Sequence, residues 1–202
     1  MADFKINGVT FASETGGVVN LSNANVFPTG HIVQIEQFFK NNAASTSNNQ
    51  HSQWVHLGML KAITTANATN DILIHFSCTM SSLGGAHNFA TKITRTIGAT
   101  EVDVGVSAEG HAGYNATTSG TRTSDTNTYQ IHTAMIMDSP GFQGVVTYKL
   151  YHFMQNSSPG IGYLNRTQNG PGSDDRSTGG TSTITLMAVS YTHLTLPTKP
   201  SV

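Results

Sequence analysis

The chain has 202 residues, 37% of them hydrophobic and only 10% charged, with a formal net charge of -1. That length can bury a sizeable core as one domain, while the charged share falls well below the roughly 25% of an ordinary soluble domain. So balanced a charge leaves no electrostatic footprint for nucleic acid or for an anionic membrane. Polarity comes instead from Ser, Thr and Asn, which suits an extracellular particle, a long-lived oligomer or a glycan-facing surface, as well as a merely soluble β-domain.

Met1 to Lys5 carries neither a basic region nor an apolar core, and no run approaches the roughly 18 apolar residues that cross a bilayer, so neither a classical export signal nor membrane insertion is expected. Residues 1–30 read as a separate attachment unit. Phe4 and Ile6, then Asn7-Gly8, then Val9 and Phe11 form a hairpin signal, because Asn-Gly tolerates the positive φ of a type I′ turn. Gly16-Gly17 and Pro28 to Gly30 punctuate the rest of this unit. A lone hairpin is marginal in water, so this one should dock on a partner chain or on the main domain.

From His31 to Met187 short apolar runs alternate with polar residues at period two, with Ser, Thr, Asn and Gly between them, which means strands with one buried face. Strands are expected over Ile32–Phe39, Trp54–Ile63, Ile72–Met80, Phe89–Ile97, Val102–Val106, Tyr129–Met137, Val145–Met154, Gly162–Asn165 and Ser182–Met187. Asn41–Ser52 reads as a polar loop, as does Gln168–Gly180. Ser107–Thr128 reads as one long loop, and a loop of that length in a compact domain is usually functional or mobile. The fold class is therefore all-β, an antiparallel sandwich of jelly-roll type over residues 31–188 with a short N-terminal hairpin. An immunoglobulin-like sandwich would need a Cys, Trp, Cys spacing that is missing.

Val189–Thr198 reads VSYTHLTLPT, which matches the in-frame translation of a transposase-type sequencing adaptor. Residues 189–202 are accordingly taken as a non-native tail and set aside, as a fusion scar would be. Without Lys199 the net charge becomes about -2.

Candidate chemistry is sparse. Cys78 is the single cysteine, excludes an intrachain disulfide and sits in the alternating set Ile72, Ile74, Phe76, Cys78, Met80 as a small buried hydrophobe. His31, His51, His56, His75, His87, His111, His132 and His152 show no metal-ligand spacing, although His111 in the long loop could meet its copies at a symmetry axis. His75, His132 and His152 are expected at strand positions with satisfied hydrogen bonds. Asp174-Asp175 is the only adjacent carboxylate pair, in a loop where neighbours point apart, so glycosidase work is poorly supported. A calcium loop would need periodic Asp/Asn spacing. No Gly-x-Ser-x-Gly elbow exists. The expectation is no enzyme, no cofactor and no metal. Tyr114, Arg122 and Asp125 in the long loop combine an aromatic face, a planar donor fork and a carboxylate, the usual equipment for holding a sugar. They are the candidate ligand or receptor surface.

Gly30-His31-Ile32-Val33-Gln34, Asp71-Ile72-Leu73-Ile74, Met137-Asp138-Ser139-Pro140, Val146-Thr147-Tyr148-Lys149-Leu150, Tyr163-Leu164-Asn165-Arg166 and Ser182-Thr183-Ile184-Thr185-Leu186-Met187 occur in that order. Together with an opening like Ile6 to Ser13, they make the chain resemble a family of small bacteriophage virion proteins, common in marine phages and at predicted tail-fibre ends. The resemblance implies a non-enzymatic, often oligomeric jelly-roll component of the virion, and does not say which part of the virion; the lone cysteine fits synthesis in the host cytoplasm. The leading expectation is a tail-fibre or spike role, with other virion proteins and a host surface glycan as partners and a homotrimer as the assembly. A capsid decoration protein and a carbohydrate-binding module are the alternatives. Phe38-Phe39, and Tyr151 with Phe153, give their strands aromatics on both faces, which points to a second buried surface beyond the core.

Overall fold

The computed structural model describes residues 2–6, 9–15, 18–21, 30–46, 53–82, 87–106, 118–123, 129–155, 161–167 and 179–190. All regular structure among them is strand. At the N-terminus β1 (Ala2–Ile6), β2 (Val9–Thr15) and β3 (Val18–Leu21) form an antiparallel sheet of their own. Ile6 stands opposite Val9, so the Asn7-Gly8 connection has the two-residue length expected of it. The third strand goes beyond the expected hairpin, with Val18 of β3 opposite Thr15 of β2.

The main body is built from β4 (Ile32–Lys40), β5 (Ala44–Ser45), β6 (Trp54–Thr65), β7 (Asp71–Ser82), β8 (His87–Ile97), β9 (Thr100–Val104), β10 (Ser119–Thr123), β11 (Gln130–Asp138), β12 (Gly144–Gln155), β13 (Gly162–Leu164) and β14 (Ser182–Val189). One sheet runs β4-β14-β7-β11, with β13 and β5 continuing beside the end of β7; the other runs β6-β12-β8, with β9 and β10 on the far side of β8. Successive long strands alternate between the two sheets, and the last lies between β4 and β7. That crossing pattern is the double-sheet jelly roll.

The core lies between the sheets. Ile72, Ile74, Phe76, Cys78 and Met80 of β7 are all buried, with Ile184 and Leu186 beside them and Val146, Tyr148 and Leu150 across from them. Each such large side chain contributes about 1.5–3 kcal/mol when removed from water. Two polar clusters lie at opposite ends of the sandwich, one joining the two sheets and one within a single sheet. At one end Arg95 of β8 reaches both carboxylate oxygens of Asp138 on β11 (2.7 and 2.9 Å), and the Tyr148 hydroxyl of β12 donates to the same group at 2.7 Å. At the other, the buried Asn165, held at φ 61°, donates from its side chain to the Lys40 and Asn42 carbonyls (2.9 and 3.2 Å) and accepts from Ser182 Oγ at 2.5 Å. Its own N–H donates to Thr79 O at 2.9 Å, so one residue joins the ends of β4, β7 and β14.

Three expectations need correction. Within the polar stretch Asn41–Ser52, Ala44–Ser45 pairs with β13, supported by Thr46, whose N–H donates to Gly162 O and whose hydroxyl accepts from Gly162 N–H. Two residues are too few to show a period. Within Ser107–Thr128, Ser119–Thr123 is a strand: β9 pairs with Ile93–Ile97 of β8 and β10 with His87–Thr91, so both complete one interrupted fourth strand. The chain leaves that line at Gly105, whose φ of 59° and close approach to the Ile136 side chain leave no room for a Cβ. Finally, the closing strand continues past Met187. Val189, set aside with the tail, pairs with Ile32 and Asp71, and Ser190 N–H donates to His31 O at 3.0 Å. A ladder accepts any backbone that presents an N–H and a C=O, so pairing is independent of those residues' origin.

Candidate functional site

Of the three residues singled out as a ligand surface, Tyr114 and Asp125 lie outside the described residues, as do His111, Asp174 and Asp175. Arg122 falls on β10, opposite Asn88 of β8, and so belongs to a strand. By chain order Tyr114 belongs to the excursion between β9 and β10, and Asp125 to the connection between β10 and β11.

Inside the sandwich, Cys78 is free and fully buried, and burial pushes its thiol up to about 12, the state of an inert hydrophobe. His132 and His152 are buried too. The expectation of satisfied hydrogen bonds fails for His152, whose two ring nitrogens have no partner within hydrogen-bonding geometry among the described residues. Burial, reinforced by His132 and His56 and opposed by the Val55 backbone, pushes this imidazole down to about 3, so it is neutral at physiological pH. Among the described residues no three His, Cys, Asp or Glu side chains are grouped to hold a metal ion.

The outer face of the β6-β12-β8-β9 sheet is amphoteric. Trp54 and Phe153 stack at 5.1 Å and His56 and Tyr151 at 5.5 Å, while Lys92 lies over the Trp54 and Tyr151 rings at 5.1 and 5.8 Å. Lys92 also pairs with Asp103 at 2.9 Å, and Lys149 with Glu101 at 2.6 Å. The Glu101 carboxyl is held down to about 2, first by its hydrogen bond from Lys149 and then by that from Thr94. Aromatic faces thus lie beside donors and carboxylates on the regular strands of this sheet.

The outer face of β4-β14-β7-β11 is different in kind. Register sets Ile35, Met187, Leu73 and Met137 in one row across all four strands, followed by the row Gln37, Thr185, His75 and Met135. Phe39, Thr183, Ser77 and Thr133 form a third row, and Ile131 stands opposite Thr79. No Asp, Glu, Lys or Arg occurs in these rows. Ile131 is 71% exposed, Met135 64%, Ile35 60% and Met137 51%. Scattered exposed hydrophobes are ordinary; a contiguous apolar face of this kind marks an interaction surface. Sequence reading missed it because Ile131, Met135 and Met137 looked like the defining face of their strand. In the fold that face points outward, and His132, Ala134 and Ile136 point in. The expected second apolar surface is nevertheless there: Phe38 packs on the core and Phe39 stands on the outer face.

No protein-family model matches this chain, and no curated protein does. Among solved structures, the chain is similar to a structure of the infectious bursal disease virus Gt strain, with 9% identity, a TM-score of 0.42 and coverage of 94% of this chain and 43% of that one. It is also similar to a VP2 protein of infectious bursal disease virus in derived T=1 particles, with 10% identity, a TM-score of 0.39 and coverage of 94% and 41%. The chain thus spans less than half the length of either.

Proposed function

We propose that this chain is a non-enzymatic structural protein of a bacteriophage virion, a tail-fibre or spike component that contacts the host surface. The observation that carries the reading is the set of uncharged, apolar-rich rows on the outer face of β4-β14-β7-β11, from Leu73 to Ser77 along β7, a surface suited to permanent burial against another protein. The jelly-roll fold, which serves viral shells and lectins alike, agrees with it, and so does a surface built from hydroxyls and amides. Its partners in this reading are other virion proteins and further copies of itself in a homotrimer, with residues 1–30 as the attachment unit. Tyr114, Arg122 and Asp125 are the proposed contacts to a host glycan.

A carbohydrate-binding role is favoured by a second observation, the Trp54, Tyr151 and Lys92 group on the opposite face. One experiment separates the readings. Mass spectrometry of purified virus-sized particles from the source of the sequence should detect the chain, and the purified chain should block adsorption to host cells. Detection without blocking moves the assignment to a decoration protein. Absence from particles together with glycan binding by a monomer leaves the binding module.

A further inference from the structure

Several polar side chains on the outer face of β4-β14-β7-β11 are hydrogen-bonded within the sheet itself. Gln37 Nε2 donates to Thr185 Oγ1 on the neighbouring strand at 3.0 Å, and Thr133 Oγ1 donates to Phe76 O at 2.9 Å. Thr79 Oγ1 reaches Thr181 O at 3.5 Å. A polar group buried without a partner is costly, so a face whose hydroxyls and amide are already bonded loses few hydrogen bonds when water leaves it. Around these groups Ile35, Phe39, Ile131, Met135 and Met137 are each more than half exposed. Large apolar side chains held in water, beside polar groups satisfied without it, make a surface built for burial.

We infer that this face stacks on the same face of a second copy, about a two-fold axis that passes between Thr185 and His75. These residues stand opposite each other on β14 and β7, the two inner strands, in the middle row of the face. A second copy offers two outer faces. Its β6-β12-β8-β9 face would press Lys92, Asp103, Lys149 and Glu101 against an apolar surface, at the desolvation cost of four charged groups. The rows of β4-β14-β7-β11 bring no Asp, Glu, Lys or Arg, so like charges never meet, whatever the orientation of the two sheets. Asp71 lies two residues beyond Leu73 at the rim, where it accepts a hydrogen bond from Ser139 Oγ at 2.6 Å. Twist matches as well, because stacked sheets lie about 10 Å apart with their twists aligned, and an identical sheet supplies an identical twist. Four strands span about 19 Å, and four rows about 7 Å apart span about 27 Å. Full overlap thus covers roughly 500 Å² on each copy and about 1,000 Å² in the pair, the size at which a specific interface begins. Partial overlap falls short of that size, which places the axis at the centre of the rows. Such a contact closes with two copies, or with six where a three-fold contact is also present. This inference is independent of the virion reading, and absence of the chain from particles would leave it standing.

The test is the solution mass of the full chain, by light scattering coupled to size exclusion, for the wild type, Thr185→Lys, Thr185→Glu and an equimolar mixture of the two variants. The wild type should hold an even number of copies, with twice the 21.5 kDa of one chain for the simple pair. Each variant sets like charges together at the axis and should halve the mass. The mixture, in which Lys faces Glu, should restore it. Met135→Lys and Met135→Glu, on the edge strand at a position 64% exposed, take their place should either Thr185 variant fail to fold. Val145→Lys, at a position 58% exposed on the other sheet, should leave the mass unchanged. A wild type that is a single chain or holds an odd number of copies overturns the inference. So do face variants that keep the wild-type mass, which would mean that another surface joins the copies. Folded variants that dissociate and stay apart on mixing overturn it too, because the face then meets a different surface of its neighbour.

Discussion

The two outer faces of the sandwich arise from the same period-two alternation and end in opposite states. On β6-β12-β8-β9 the outward positions satisfy one another: Lys92 with Asp103, Lys149 and Thr94 with Glu101, and the aromatic pairs beneath the Lys92 ammonium. On β4-β14-β7-β11 the outward rows hold Ile, Met, Leu and Phe between Thr, Ser, Gln and His, with nothing ionic among them. In a chain with so few charges, where those charges go is informative. Two of the four ion pairs found among the described residues lie on the first face, and the others, Lys61–Glu36 and Arg95–Asp138, join one sheet to the other. One face pairs its polar groups within a single chain, and the other leaves Ile35, Ile131, Met135 and Met137 exposed.

The comparison can be broken most forcefully at the clamp that holds only the apolar sheet together. Asn165→Ala removes three side-chain hydrogen bonds at a buried position with left-handed backbone, and should cost about 3 kcal/mol in denaturant unfolding. Hydrogen exchange should quicken in 161–167 and 179–190 while 87–106 stays protected. Equal loosening of both sheets would show that they open as one unit.

Acid probes the interior that the two faces share. Since the folded His152 resists protonation down to about 3 while the unfolded imidazole binds a proton near 6.5, the unfolded state holds more protons between these values. The contribution is therefore complete above about pH 6.5 and lost as pH falls towards 3, at about 1.4 kcal/mol per pH unit. His132, His56 and Lys40 all face this ring and disfavour its charge. His152→Leu should flatten the difference in stability between pH 6.5 and 4.5 relative to the wild type; an unchanged slope would assign acid sensitivity to other groups.

Smaller effects sharpen the contrast between the faces. Lys92→Ala loses an ion pair and two ring contacts on a partly exposed surface, and should lower stability by about 1 kcal/mol or less, with salt eroding the difference. Ile131→Thr on the apolar face should change the stability of the single chain by no more than about 0.5 kcal/mol, since that side chain is mostly in water. A loss of about 2 kcal/mol there, under conditions that keep the chain monomeric, would mean that the face is already covered.

Much of the fold was legible because strand alternation and turn chemistry are local. Ile72 to Met80 reads as a buried face and is one, Asn7-Gly8 joins paired strands, and Cys78 is the small core residue expected. Of the interrupted fourth strand, β9 was expected and β10 escaped detection, because Ser119–Thr123 is Ser, Gly, Thr and Arg and is ordered by pairing with β8 rather than by any pattern of its own. Asn165 stood out only as part of a motif, since a hub that joins three strand ends has no signature in neighbouring residues. The Trp54, Tyr151 and Lys92 group was invisible for the same reason: Lys92 meets the other two across strands far apart in the chain.

By itself the sequence determined that this chain makes antiparallel strands in a two-layer all-β body, because alternation over a few residues is enough to require one buried face. Which face goes inside was decided only by the tertiary structure. On β11 both sets of alternate residues are apolar enough to be buried, and it is the pairing of His132 with Cys78 and of Ile136 with Ile74 that turns Ile131, Met135 and Met137 towards solvent. Period two states that a strand has two sides, and only its neighbours in space choose between them.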